Sequence, residues 1–96
     1  MRLNLWTELI HNNAKDKGFW DEERNIGESL MLIVTEVAEA MEAHRNDDRE
    51  NFEEEIADVI IRTLDLCGGL GIDIEAAMRK KMQYNYTRPY KHGKNC

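Results

Sequence analysis

The sequence predicts an all-α fold: a bundle of four helices built around an antiparallel central hairpin. Three observations carry this. Six glycines and one proline in 96 residues are too few for a turn-rich β protein. No segment alternates apolar and polar side chains with period two. Four stretches instead repeat apolar residues at spacings of three and four, and cap or stop residues bound them.

The first helix is expected over about 3–17, where Leu3, Leu5, Trp6, Leu9 and Ile10 are apolar. Trp6 reads as a core or interface anchor of that face, and Gly18 as the stop. Residues 19–25 read as a loop. Asn25 followed by Glu28 has the form of a capping box and opens a second helix over about 26–45. Asn46-Asp47-Asp48 is a tight connection with N-cap chemistry. The third helix is expected over about 49–68, ending at Gly68-Gly69, and Asp73 caps a fourth over about 74–87. The tail, 89–96, is expected to be irregular, and 1–96 to form a single domain.

Composition narrows the function classes. The net charge is −6, but it is unevenly spread. Residues 21–58 hold fourteen acidic and three basic side chains, whereas 79–94 hold six basic and no acidic ones. Solvated helix faces account for much of this. A sharper reading is an acidic metal-binding half and a basic end, including Lys91, His92 and Lys94, that meets anionic oxygens. Overall acidity argues against a nucleic-acid partner, and no apolar run approaches a membrane span. Cys67 reads as a small core residue and Cys96 as a frayed terminus. Neither has zinc-ligand spacing, and no signal-peptide core is present, so a cytoplasmic location is expected.

The chemistry lies in two carboxylate pairs, Glu36 with Glu39 and Glu55 with Asp58, each spaced i, i+3 on consecutive helices. Residues three apart share a helix face, so like charges are crowded together. One such pair is commonplace on a solvated helix; two in matched phase are not. Leu30, Ile33, Val34, Val37 and Met41 form an apolar stripe on the second helix, and Phe52, Ile56, Val59, Ile60, Thr63 and Cys67 one on the third. Glu36 and Glu39 lie about 120° to 180° around from their stripe, and Glu55 and Asp58 fall at a similar phase. If the stripes form the hairpin contact, all four acids line one groove. A hard divalent cation, Mg²⁺ or alternatively Mn²⁺, relieves the repulsion and retains positions for phosphate oxygens. A di-iron site is disfavoured because Glu-x-x-His is missing; His44 follows Glu42 by two. Leu32 and Leu66 put apolar atoms on the carboxylate side as well, so both helices look sandwiched, and completion of the bundle by a second copy is expected.

Other residues are open to two readings. Lys81 and Asn85 share a face of the fourth helix and, with Arg88, can meet phosphates or simply solvate a helix end. Trp20, in a polar loop, is a candidate for base stacking. His11 by itself reads as structural.

The motifs TEVAEAMEA and EEEIADVIIRTLDL, with fifteen residues between Glu39 and Glu55, resemble the MazG-like all-α nucleoside triphosphate pyrophosphohydrolases. The resemblance covers roughly residues 11–94. It implies Mg²⁺-dependent hydrolysis of a nucleoside triphosphate to monophosphate and pyrophosphate, in nucleotide-pool house-cleaning, by a homodimer or homotetramer. It implies that Glu36, Glu39, Glu55 and Asp58 are the metal ligands and catalytic residues, with Glu39 placed to position or deprotonate water. The pattern is nearest to the dCTP pyrophosphatase branch. By that resemblance His11 and Trp20 line a base pocket, Asn85 binds the nucleotide and Lys81 contacts phosphate. Arg62 stands where that branch has an aromatic residue and is assigned to substrate binding with Arg88. Asn46 replaces a second pocket Trp, so the preferred base stays open. Two rival readings are a phosphoribosyl-ATP pyrophosphohydrolase-like enzyme and a non-catalytic helical interaction protein.

Overall fold

A computed structural model of the protein describes residues 2–93; the expectations attached to Lys94 and Cys96 lie outside the described residues. The chain folds as α1 (Leu3–Asp16), α2 (Ile26–Arg45), α3 (Arg49–Leu70) and α4 (Ile74–Tyr86), followed by a 3-10 turn, Tyr90–Gly93. That turn occupies part of the tail expected to be irregular. Among the described residues there is no strand, and no helix is long and apolar enough to cross a membrane.

The caps form as the sequence indicates. Asn25, Asp48 and Asp73 each accept a backbone N–H three residues on, from Glu28, Asn51 and Ala76 at 2.9, 3.1 and 3.0 Å. This satisfies donors that a helix start leaves unpaired. Gly18 follows α1 with φ +89°. The α2–α3 connection turns through Asp47 at φ 53°, a left-handed conformation that aspartate tolerates better than most residues.

α3 runs past the expected stop. Gly68 and Gly69 lie inside it, and Gly71, with φ +67°, ends it. The two internal glycines serve close approach instead. A Cβ on Gly68 would lie 2.6 Å from the His11 Cβ, and one on Gly69 would lie 2.1 Å from Trp20 Cη2. Their missing side chains let α1 and the 17–25 loop settle directly on the α3 backbone.

The central hairpin is antiparallel, but the contact expected through the apolar stripes is incomplete. The apolar stripes are only partly covered: Leu30, Val34, Val37 and Met41 are exposed, as are Ile56 and Ile60, whereas Ile33, Phe52, Val59 and Thr63 are half-buried and Cys67 is buried. The buried positions of α2 are Ser29, Glu36, Ala40 and Ala43, and those of α3 are Leu64, Asp65 and Cys67. Small side chains allow the two helices to come close, and polar groups occupy the seam. α1 follows the same rule. It buries Thr7 and part-buries Ile10, His11 and Ala14, while Leu5, Leu9 and Trp6 face out. Trp6, expected as a core or interface anchor, is 59% exposed and so is not in the core of this chain.

α4 buries no residue and is clipped to the start of α1. The Asn4 side chain donates to Asp73 at 2.8 Å and its backbone N–H to Glu75 at 3.0 Å. The Asn4 amide is the main reason that the Asp73 carboxyl is held below its usual range. The described chain has a radius of gyration of 15.8 Å. A compact domain of this length has roughly 12–13 Å. Large apolar groups outside and small or polar ones inside make an open, incompletely covered fold.

Candidate active site

The seam between α2 and α3 gathers three acids. Glu36 is buried on the face of α2 turned to α3, Glu39 stands one turn further on, and Glu55 reaches across half-buried from α3. Carboxylate oxygens from all three lie within 4.8 Å of one another. The matched spacing therefore does bring acids from both helices together, although in the hairpin contact and not on a groove beside it. Asp58, one turn along α3 from Glu55, is outside this trio but lines a cavity together with Glu36.

The trio is electrostatically strained. The Glu36 carboxylate, then Glu39, together with burial push Glu55 up to about 7. Glu36 moves the opposite way. Arg62 Nε donates to Glu36 Oε1 at 2.8 Å, and this bond leads the causes that lower its pKa. The Glu55 Oε2 atom is buried without a hydrogen-bond partner. A buried oxygen left bare costs free energy. Three converging carboxylates and a bare oxygen are the donor set that a hard divalent cation accepts, so the residues present fit such an ion.

The cavity adjoining the trio has a volume of about 390 Å³. Phe19, Ile61 and Leu66 give it apolar walls, and Glu36, Asp58 and Arg62 stand on its polar side. Arg24 and Asp65 also reach it. A volume of this order and a mixed lining suit a small organic ligand with a charged end.

Asp65 is the residue that pattern reasoning passes over. It is buried on α3 between Leu64 and Leu66 and takes three partners. His11 Nδ1 lies 2.9 Å from Oδ1, Trp20 Nε1 donates to the two oxygens at 2.9 and 3.1 Å, and Arg24 Nη1 donates to Oδ2 at 3.2 Å. The rings of His11 and Trp20 meet edge to face at 4.9 Å, and the Arg24 guanidinium sits 4.5 Å over the Trp20 ring. One signal for this hub is visible in the sequence. A lone acid inside the run TLDLC must find donors, and a histidine, a tryptophan and an arginine precede it in the chain.

The remaining candidates divide. Arg62 is at the acids. His11 and Trp20 are side by side, but the cavity wall next to them is formed by Phe19, Arg24 and Asp65. α4, which carries Lys81 and Asn85, packs chiefly on α1 and not on the α2–α3 seam. Lys81 Nζ and the Arg88 guanidinium lie 4.9 and 5.4 Å from the Tyr84 ring on α4 itself. Asn85 Oδ1 is buried and unpartnered.

Comparison with known proteins gives two results. A model of the MazG-like family matches residues 25–96. A dATP/dGTP diphosphohydrolase from Cyanophage S-2L is 32% identical over 73 residues, which are 76% of this chain and 66% of the relative. The chain thus spans just under two thirds of that protein's length. No solved structure gives a significant match.

Proposed function

The chain belongs to the MazG-like family, and from that premise we propose that it hydrolyses nucleoside triphosphates to monophosphate and pyrophosphate at the α2–α3 acids. The observation that carries the reading is the glutamate trio with its bare, buried Glu55 oxygen, one member of which, Glu36, also lines the open cavity. Glu36, Glu39, Glu55 and Asp58 are the proposed ligands of Mg²⁺, with Mn²⁺ as a substitute. When bound, such an ion supplies charge neutralisation for the phosphates and acidifies a water.

The chain's own groups do the rest. Glu39, exposed at the mouth of the trio, holds and accepts a proton from the attacking water. Arg62 and Arg24 supply guanidinium donors on the cavity side for phosphate oxygens. Phe19, Ile61 and Leu66 offer the apolar surface that a nucleobase seeks. His11 and Trp20 act in base binding through the Asp65 hub that fixes them next to that wall. The named activity of the phage relative makes purine deoxynucleoside triphosphates the first substrates to try. We place the reaction in cytoplasmic nucleotide-pool house-cleaning.

The working unit is a homodimer or homotetramer. Exposed Leu30, Val34, Val37, Met41 and Ile60 need cover. A second copy is also the means to bring Lys81 and Asn85 of its α4, and Arg88 just beyond it, to a substrate, and the bare Asn85 oxygen supports this. The test is a panel of nucleoside triphosphates assayed for pyrophosphate release with Mg²⁺, with molar mass followed by light scattering. Glu36→Gln and Asp58→Asn are expected to lose activity by about 10²-fold or more, since removing a metal ligand or its orientation costs at least that order. Full activity in either variant removes the acids from the mechanism.

A further inference from the structure

Arg62 is bonded to the very carboxylate that the proposed metal needs. Its hydrogen bond to Glu36 Oε1 runs through Nε alone, at 2.8 Å. A two-bond fork would grip both oxygens of the acid; this single bond leaves the rest of the guanidinium uncommitted. No described residue accepts from its two Nη groups, and the side chain is 41% exposed at the wall of the 390 Å³ cavity. Glu36, by contrast, is buried. Among the described residues, the Arg62 guanidinium is the cation hydrogen-bonded to the trio, held by one bond, with open space beside it.

We propose that Arg62 is a resident counter-ion that gates the glutamate trio: it holds Glu36 in the metal-free protein and hands its guanidinium to the substrate's polyphosphate when Glu36 serves a divalent cation. The proposal rests on the metal reading above and adds a coupling to it. Arg62 so close to Glu36 repels a second cation, so it weakens metal affinity when no nucleotide is present. A polyphosphate in the cavity draws Arg62 off Glu36 and lifts that repulsion. Each ligand then strengthens the binding of the other, as linkage requires. The arrangement protects a crowded acidic seam in the free protein and makes tight metal binding conditional on substrate. Arg62 is here a positioning residue for Glu36 first and a phosphate donor second.

The experiment measures Mn²⁺ binding by calorimetry at fixed pH, with and without a non-hydrolysable deoxynucleoside triphosphate analogue, in the natural chain and in Arg62→Gln. The variant is expected to bind Mn²⁺ alone roughly tenfold more tightly, in the usual range of site coupling. It is expected to bind the analogue roughly tenfold more weakly, from loss of a charged hydrogen bond. Unchanged or weaker Mn²⁺ binding in the variant overturns the gate and leaves the metal site standing. Failure of the natural chain to bind Mn²⁺ overturns the metal reading and the gate with it. A second measurement needs no variant. The Arg62 Nε–H resonance is expected to be protected from solvent exchange in metal-free protein and to change its chemical shift on saturation with Mg²⁺ and analogue. An unchanged shift means that Arg62 stays on Glu36 and the gate is wrong.

Discussion

Asp65 and Glu55 sit ten residues apart on the same helix and face opposite fates. Asp65 has both oxygens engaged, by His11, Trp20 and Arg24. Glu55 has a bare buried oxygen and two further acids as neighbours. Burial alone thus does not say what a carboxylate is for. A saturated one is part of the frame, because nothing remains for a ligand to bond. An unsaturated one among like charges is a frame defect unless something else completes it. The contrast fits Asp65 to building the wall of the cavity, and it is the reason that Glu55 is proposed for the chemistry of the trio.

The largest effect that would test this contrast is at Asp65. Removing one partner of a buried charge network strands the others, at a cost of about 3–5 kcal/mol. Asp65→Ala is expected to lose stability of that order in urea unfolding, with quenching and exposure of Trp20 in fluorescence. An Asp65→Ala protein as stable as the natural chain would mean that the hub holds nothing in place. Glu55→Gln is expected to move stability in the other direction, since it removes a repelled charge.

A smaller effect tests how the hub is seated. Gly69→Ala places a methyl where Trp20 now lies, 2.1 Å from Cη2. Overpacking of this kind costs about 1–3 kcal/mol. Gly71→Ala meets no atom within 4 Å but must hold φ +67°. Its cost is that of the left-handed backbone alone, about 1 kcal/mol. A melting series in which Gly71→Ala is the more damaging of the two would show that Trp20 can move aside, and that the glycine pair does not fix it.

These two sites were unequally visible beforehand. Helix positions were legible because caps are local: Asn25, Asp48 and Asp73 bond within three residues. The pairing of Glu36 and Glu39 with Glu55 was legible because phase on adjacent helices follows from spacing. How much of each stripe the hairpin covers was not. Hydrophobic periodicity marks the face that leaves water, and Leu30, Val34 and Met41 show no sign of whether their own chain or another covers them. The contact also uses Ala40, Ala43 and polar groups, whose pattern is weak. Asp65 was missed because its partners lie 41 to 54 residues away in sequence, and the glycine pair because close approach and helix termination use the same residue.

The smallest effect is in pH dependence, and it probes Glu55 directly. Its carboxyl is pushed up to about 7 in the folded chain, against an ordinary 4.5. Between those values the folded protein holds a proton that the unfolded chain has released. The folded state is therefore favoured at the acid end of the window, and stability falls as pH rises from about 4.5 to about 7. Glu36 has its pKa lowered, so its contribution has the opposite sign and belongs to the acid end of the window and below. In chelator-treated protein the melting temperature is thus expected to decline by a few degrees from pH 5 to pH 7.5. Glu55→Gln should flatten that decline, and excess Mg²⁺ should do the same in the natural chain by occupying the bare oxygen. A decline that survives in Glu55→Gln would place its source elsewhere and would leave the Glu55 side of the contrast without support.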